Sequence, residues 1–98
     1  MATSELIVER FYAAPTPFSD VVTLAYVGSG IAEKLSVSIY DLAGNLIWEA
    51  EEHNVLEVVW DGCNDDGRFM ANGAYIYVVS ASTGDCVFLD RGKVFILR

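Results

Sequence analysis

Three aspartates, Asp61, Asp65 and Asp66, crowd a glycine-punctuated segment that also carries Gly62, Cys63, Asn64 and Gly67. Oxygen donors at that density suggest a calcium loop. The EF-hand pattern needs oxygen ligands at loop positions 1, 3 and 5, Gly at 6 and Glu at 12. Counted from Asp61, position 3 is Cys63, position 6 is Asp66 and position 12 is Asn72. Counted from Gly62, residues Asn64, Asp66 and Gly67 fall in place, but the first and last ligands are lost. The segment therefore reads as a turn. Asp61 is expected to accept backbone N–H groups and Asp66-Gly67 to form a tight bend. No metal ligand is assigned.

The other reactive side chains are weaker still. His53 is the only histidine and lacks a second His, a catalytic serine context or a nearby nucleophilic cysteine, so no triad can be built from it. It is expected in an exposed loop. Cys63 lies beside acids, which raise a thiol pKa and disfavour a nucleophile. Cys63 and Cys86 are expected on opposite ends of a strand, about 25 Å apart, beyond the ~7 Å reach of a disulfide. Two free thiols follow. Glu49, Glu51, Glu52 and Glu57 resemble a glycosidase carboxylate set only in type; they are expected on the solvated face of an edge strand. Gly28-Ser29-Gly30 lacks the helix and lysine of a phosphate loop. The chain is therefore expected to have no catalytic residue, no cofactor and no enzymatic activity.

The elements that would position these residues are strands. Leu6–Tyr12 and Val21–Val27 are β-rich, with Val22, Leu24 and Tyr26 sharing one face. Between them, Pro15 and Pro17 force extended backbone and mark an edge or crossover segment, with Phe18 tucked under the sandwich end. Leu35, Val37 and Ile39 alternate with Ser36, Ser38 and Tyr40, the clearest period-two pattern in the chain. Asp41–Asn45 reads as a hairpin turn, with Gly44-Asn45 suited to positive φ. Leu46–Ala50 returns from it, Glu51–Asn54 connects, and Val55–Trp60 leads into the aspartate segment. Ala74–Ser80 is apolar on both faces, which suggests a central strand. Ser82–Asp85 is a second turn, and the chain closes through Cys86–Arg98 with a kink or bulge expected at Arg91-Gly92. No segment has helical periodicity. Seven strands with turn signals every eight to twelve residues predict an all-β fold, an antiparallel immunoglobulin- or fibronectin-III-like sandwich. A small closed barrel is the architectural alternative.

The 98 residues suffice for a single sandwich domain, and 53% hydrophobic composition supplies its core. A formal net charge of −8 repels phosphate backbones and anionic membrane surfaces, so nucleic acid is not an expected partner. No apolar stretch approaches the roughly 18 residues of a membrane span, so no membrane insertion is expected. Met1–Glu5 carries no basic region followed by an apolar one. No signal peptide is expected in this chain, which is either a cytoplasmic protein or, as the domain reading has it, a fragment or C-terminal module of a larger one.

An ordered set of motifs adds a resemblance. Pro15-Thr16-Pro17-Phe18 comes first, then Val37–Ile47, Trp60-Asp61-Gly62, Asp65-Asp66-Gly67, Gly73-Ala74-Tyr75-Ile76-Tyr77 and the closing Lys93–Arg98. Together they resemble the FlgD-type immunoglobulin-like domain, from about Tyr12 to the end of the chain. Two departures stand out: Thr16 replaces the family's usual Asn between the prolines, and Cys63 sits in a loop that commonly has none. The resemblance implies a non-catalytic module whose structural signature is Trp60, Asp61, Gly62, Asp66, Gly67, Gly73 and Tyr75. It implies a spacer, docking or export and display role within a larger bacterial extracytoplasmic protein, hence an extracellular or cell-surface location and a neighbouring domain or another protein as partner. A flagellar hook-capping domain is one alternative. A carbohydrate- or protein-binding module is another, using the 61–73 acidic loop or exposed aromatics, with Tyr40 and Trp48 as its interaction surface. Trp60 is expected to be buried.

Overall fold

The computed structural model describes residues 6–84 and 86–98. Its strands are β1 (Ile7–Ala14), β2 (Val22–Ser29), β3 (Lys34–Tyr40), β4 (Leu46–His53), β5 (Glu57–Trp60), β6 (Gly73–Thr83) and β7 (Cys86–Ile96). They form two antiparallel sheets, β1-β2-β5 and β4-β3-β6-β7. This is the expected two-sheet sandwich, not the closed barrel. In the constant-type immunoglobulin arrangement the fourth strand joins the first sheet; here β4 pairs with β3 instead.

Alternation builds the core. Leu35, Val37 and Ile39 of β3 are buried, as are Val22, Leu24 and Tyr26 of β2 and Tyr75, Tyr77, Val79 and Ala81 of β6. Every second side chain points between the sheets, as strand geometry requires. The proline segment carries the chain from one sheet to the other. Phe18 leaves the β1 side and makes a parallel bridge to Ile96. Its N–H donates to the Phe95 carbonyl at 2.9 Å, and the Leu97 N–H donates back to Phe18 at 2.9 Å. At the opposite end the Tyr26 hydroxyl accepts the Ala32 N–H at 2.7 Å and donates to the Val55 carbonyl at 3.3 Å. One buried tyrosine thus ties two connections together.

Three expectations need correction. β4 runs to His53, and β5 starts only at Glu57, so the acidic stretch Glu51–His53 is strand rather than connection. Glu51, Glu52 and His53 pair with Ser36, Leu35 and Lys34, which supply ladder partners that propensity alone does not foresee. The second correction concerns β7, which has no bulge at Arg91-Gly92: its register with β6 runs unbroken from Thr83↔Cys86 to Gly73↔Ile96. Gly92 is glycine for space. A Cβ there would lie 2.6 Å from the Tyr77 hydroxyl oxygen, so the ring of Tyr77 covers the backbone of its cross-strand partner. The irregularities fall elsewhere, at Val8/Arg10 in β1 and opposite Ile39/Tyr40 in β4. Finally, positive φ in the Asp41–Asn45 turn belongs to Gly44 and not to Asn45.

Candidate functional site

The aspartate segment between β5 and β6 is a small hairpin. Cys63 bridges Phe69, the Asn64 N–H donates to the Arg68 carbonyl at 2.9 Å, and the Gly67 N–H donates to the Asn64 carbonyl at 3.0 Å. The Asn64 side chain organises the bend, its Oδ1 accepting the N–H groups of Asp66 at 3.0 Å and Arg68 at 2.9 Å. Gly67 supplies φ +83°, the left-handed residue that closes a three-residue loop with a bulge. Asp61 Oδ1 accepts the Cys63 N–H at 3.0 Å. Asp65 and Asp66 are exposed at the tip. Among the described residues, no three His, Cys, Asp or Glu side chains group closely enough to hold a metal ion.

The same loop occurs twice. Gly44 has φ +89°, and its N–H donates to the Asp41 carbonyl at 3.0 Å. The Asp41 N–H donates to the Asn45 carbonyl, also at 3.0 Å. Asp41 Oδ1 accepts the N–H groups of Ala43 and Asn45 at 3.0 and 2.9 Å. Asp41 and Asn64 are therefore equivalent, each two and four residues before the N–H groups it accepts. Bonding to the Asn45 side-chain amide, and then to these N–H groups, holds the Asp41 carboxyl below its ordinary pKa.

Arg98 locks the segment from outside. Its guanidinium donates to the Met70 carbonyl at 3.0 Å and the Asp61 carbonyl at 2.9 Å, and lies 4.5 Å from the centre of the Phe69 ring. Asn72 clamps its backbone, accepting the N–H on Oδ1 and donating Nδ2–H to the carbonyl, both at 3.0 Å. Gly62, at φ +79°, sits beneath that guanidinium, which a Cβ would strike. The sequence reading gave Asn64 and Asn72 only as positions in a calcium count, Arg98 only as the end of a motif and Phe69 no role. Asn64, three residues before a turn glycine, carried a usable signal; the Arg98 partners, 26 to 37 residues away, carried none.

Beneath the hairpin lies the aromatic core. Trp60 has no exposed surface and donates Nε1–H to the Cys63 carbonyl at 2.8 Å. Phe18 and Tyr75 meet it edge-on at centroid distances of 5.6 and 5.8 Å, and Trp48 lies 6.2 Å away. The Tyr75 hydroxyl donates to the Ala71 carbonyl at 2.7 Å, and burial raises its pKa. Gly73 opens β6 at φ +146°. The pair Tyr40 and Trp48 is not brought together. The register slip opposite Ile39/Tyr40 turns both Ile47 and Trp48 toward the core, while Tyr40 alternates outward from Ile39. Trp48 therefore packs on Trp60, and Tyr40 faces the other side of the sheet.

Residues 18–85 match the FlgD Ig-like domain family. The chain belongs to that family. No curated protein matches the chain. Similar solved structures agree on the architecture of this FlgD-type domain. It superposes on part of dimeric latent PorU from Porphyromonas gingivalis with a TM-score of 0.70 at 18% identity, covering 89% of this chain and 9% of that one. PorZ, an essential surface component of the type-IX secretion system of the same bacterium, gives a TM-score of 0.61 at 29% identity, covering 90% of this chain and 11% of that one. FN3tt gives 0.58 at 10% identity over 98% and 97% of the two chains. The FlgD-type domain thus spans about a tenth of the PorU and PorZ chains.

The remaining reactive groups of the FlgD-type domain are dispersed. Glu49 and Glu51 project from β4 on one face, Glu52 from the other, and Glu57 belongs to the opposite sheet. His53 is exposed at the end of β4, its Nε2 lying 3.4 Å from Glu51 Oε2. Cys63 is buried, and burial together with Asp61 pushes its thiol pKa up; Cys86 is exposed. Both thiols are free.

Proposed function

We propose that the chain is a non-catalytic accessory module of a larger bacterial surface protein, working through docking and export or display. One observation supports this most. The segment richest in candidate chemistry is consumed in holding the fold: Trp60 is fully buried, while Asp61 and Asn64 accept backbone N–H groups. The similarity to one part of PorU and of PorZ supports a place within a longer surface protein. The aromatic-platform reading gains nothing, because Tyr40 and Trp48 face opposite ways.

The test is a fusion. The chain is attached to the C-terminus of a periplasm-directed fluorescent protein and expressed in Porphyromonas gingivalis. Reporter on intact cells, detected by surface protease sensitivity, is the expected result. A reporter that stays in the periplasm, although the fused domain is folded, rules out export and display and leaves docking or spacing.

A further inference from the structure

The outer face of β4-β3-β6-β7 has an arrangement that the fold does not require. Its β4 border is acidic, with Glu49 and Glu51 opposite Ser38 and Ser36 of β3. Its β7 border is basic: Arg91 and Lys93 stand opposite Val78 and Ile76 of β6. The serines leave a shallow trough along the acidic border, lined by Ser36, Ser38, Glu49 and Glu51. Near the basic border Leu89 stands 70% exposed and Val87 62%. The chain carries a net charge of −8, yet this face bears Lys34, Arg91 and Lys93 against Glu49 and Glu51. A second acidic copy meets less repulsion on such a face than the net charge of the chain would impose.

We propose that this face is a twofold interface with a second copy of the chain. A twofold axis parallel to the strands turns one face onto another and exchanges the borders. β4 of one copy then lies over β7 of the other. Register fixes what meets. Glu49, Ser38, Val78 and Arg91 form one row across the sheet, so Glu49 of each copy faces Arg91 of the other. The next row is Glu51, Ser36, Ser80 and Leu89, so each Leu89 enters the serine trough of its partner copy. An isologous contact of this kind uses one patch twice and closes. Four strands ~4.8 Å apart and seven residues of ~3.3 Å give a footprint on the order of 450 Å². That is small, so association is expected to be weak and readily reversed.

The test uses charge reversal. Sedimentation equilibrium of the 98-residue chain from about 10 μM to about 1 mM, the range in which so small an interface associates, is expected to show a rising dimer fraction. Arg91→Glu sets Glu against Glu, and Glu49→Arg sets Arg against Arg; each alone is expected to weaken dimerisation at least ~10-fold. Mixed in equal amounts, the two variants restore opposite charges at both contacts and are expected to dimerise. Both positions are exposed, so folding is unaffected, which far-UV circular dichroism checks. A wild type that stays monomeric up to about 1 mM overturns the proposal. Dimerisation indifferent to either reversal, or variants that do not pair when mixed, overturns it equally.

Discussion

At the scale of single residues, the two cysteines offer a contrast that needs no ligand to read. Cys63 is 7% exposed, and its thiol is held protonated by burial and by Asp61; Cys86 is exposed at the start of β7. A thiolate is the reactive form, so access and protonation act together. Iodoacetamide at pH 8 is expected to label Cys86 promptly and Cys63 only after urea unfolds the chain, as mass spectrometry of the digest would show. Prompt labelling of both would mean that the loop opens readily. Trp60 is the other decisive residue. Replacing a fully buried indole by alanine leaves a cavity and costs about 3–5 kcal/mol. It also orphans the Cys63 carbonyl that the indole N–H satisfies. Against roughly 5–15 kcal/mol for a domain of this size, Trp60→Ala should lose a large part of its urea midpoint. A midpoint within a few tenths molar of wild type would place the structural weight elsewhere.

At the scale of elements, the paired loops give a controlled comparison. Gly44 and Gly67 each have open space where a Cβ would sit, so replacement tests backbone conformation alone. Gly44→Ala and Gly67→Ala are both expected to cost about 1–2 kcal/mol, the left-handed penalty, measured by urea unfolding. The acceptors differ in two respects: Asp41 ionises and Asn64 does not, and Asp41 Oδ2 also accepts from the Asn45 side chain. The Asp41 pKa is lowered from 3.8 in the folded state, so its contribution is fully present above pH 3.8 and is lost as pH falls through the lower folded value. Asp41→Asn keeps the Oδ1 acceptor for the two N–H groups, loses the Oδ2 acceptor of the Asn45 side chain and removes the titrating carboxylate, so its stability is expected to fall less between pH 4 and pH 2. The same pairing shows what the sequence revealed. Asp41 with Gly44 read correctly as a hairpin turn because strand alternation on both sides framed it. Asp61–Gly67 invited a metal count, because its aspartates are conspicuous and its organiser, Asn64, is not. Local rules found both glycines. They could not find the Arg98 lock, whose partners are distant in sequence, nor the β4 register slip that sends Trp48 inward and leaves Tyr40 outside.

At the scale of the whole molecule, charge governs the response to ions. Among the described residues the charged contacts are few: Lys34 Nζ lies 3.9 Å from Glu51 Oε1, and His53 Nε2 lies 3.4 Å from Glu51 Oε2, all on half-exposed side chains. Exposed pairs contribute only about 0–1 kcal/mol each. A net charge of −8 therefore repels itself more than these pairs attract. Shortening the Debye length from about 30 Å at 0.01 M salt to about 8 Å at 0.15 M should raise the melting temperature rather than lower it. Divalent ions make this a test of the acidic loop. If Asp61, Asp65 and Asp66 serve only as turn and surface residues, CaCl2 and MgCl2 at matched ionic strength will shift the midpoint equally. Specific calcium binding to the folded state alone, at a hundredfold excess over Kd, would add about 2.7 kcal/mol, or roughly 10–20 °C for a domain of this size. That gap is too large to be mistaken for screening. The loop geometry favours equal curves: among the described residues no three His, Cys, Asp or Glu side chains group closely enough to hold a metal ion, and Asn64 Oδ1 is already taken up by two N–H groups. Superimposable calcium and magnesium curves are the expected outcome, and a calcium-specific rise would reassign the loop from fold support to ion binding.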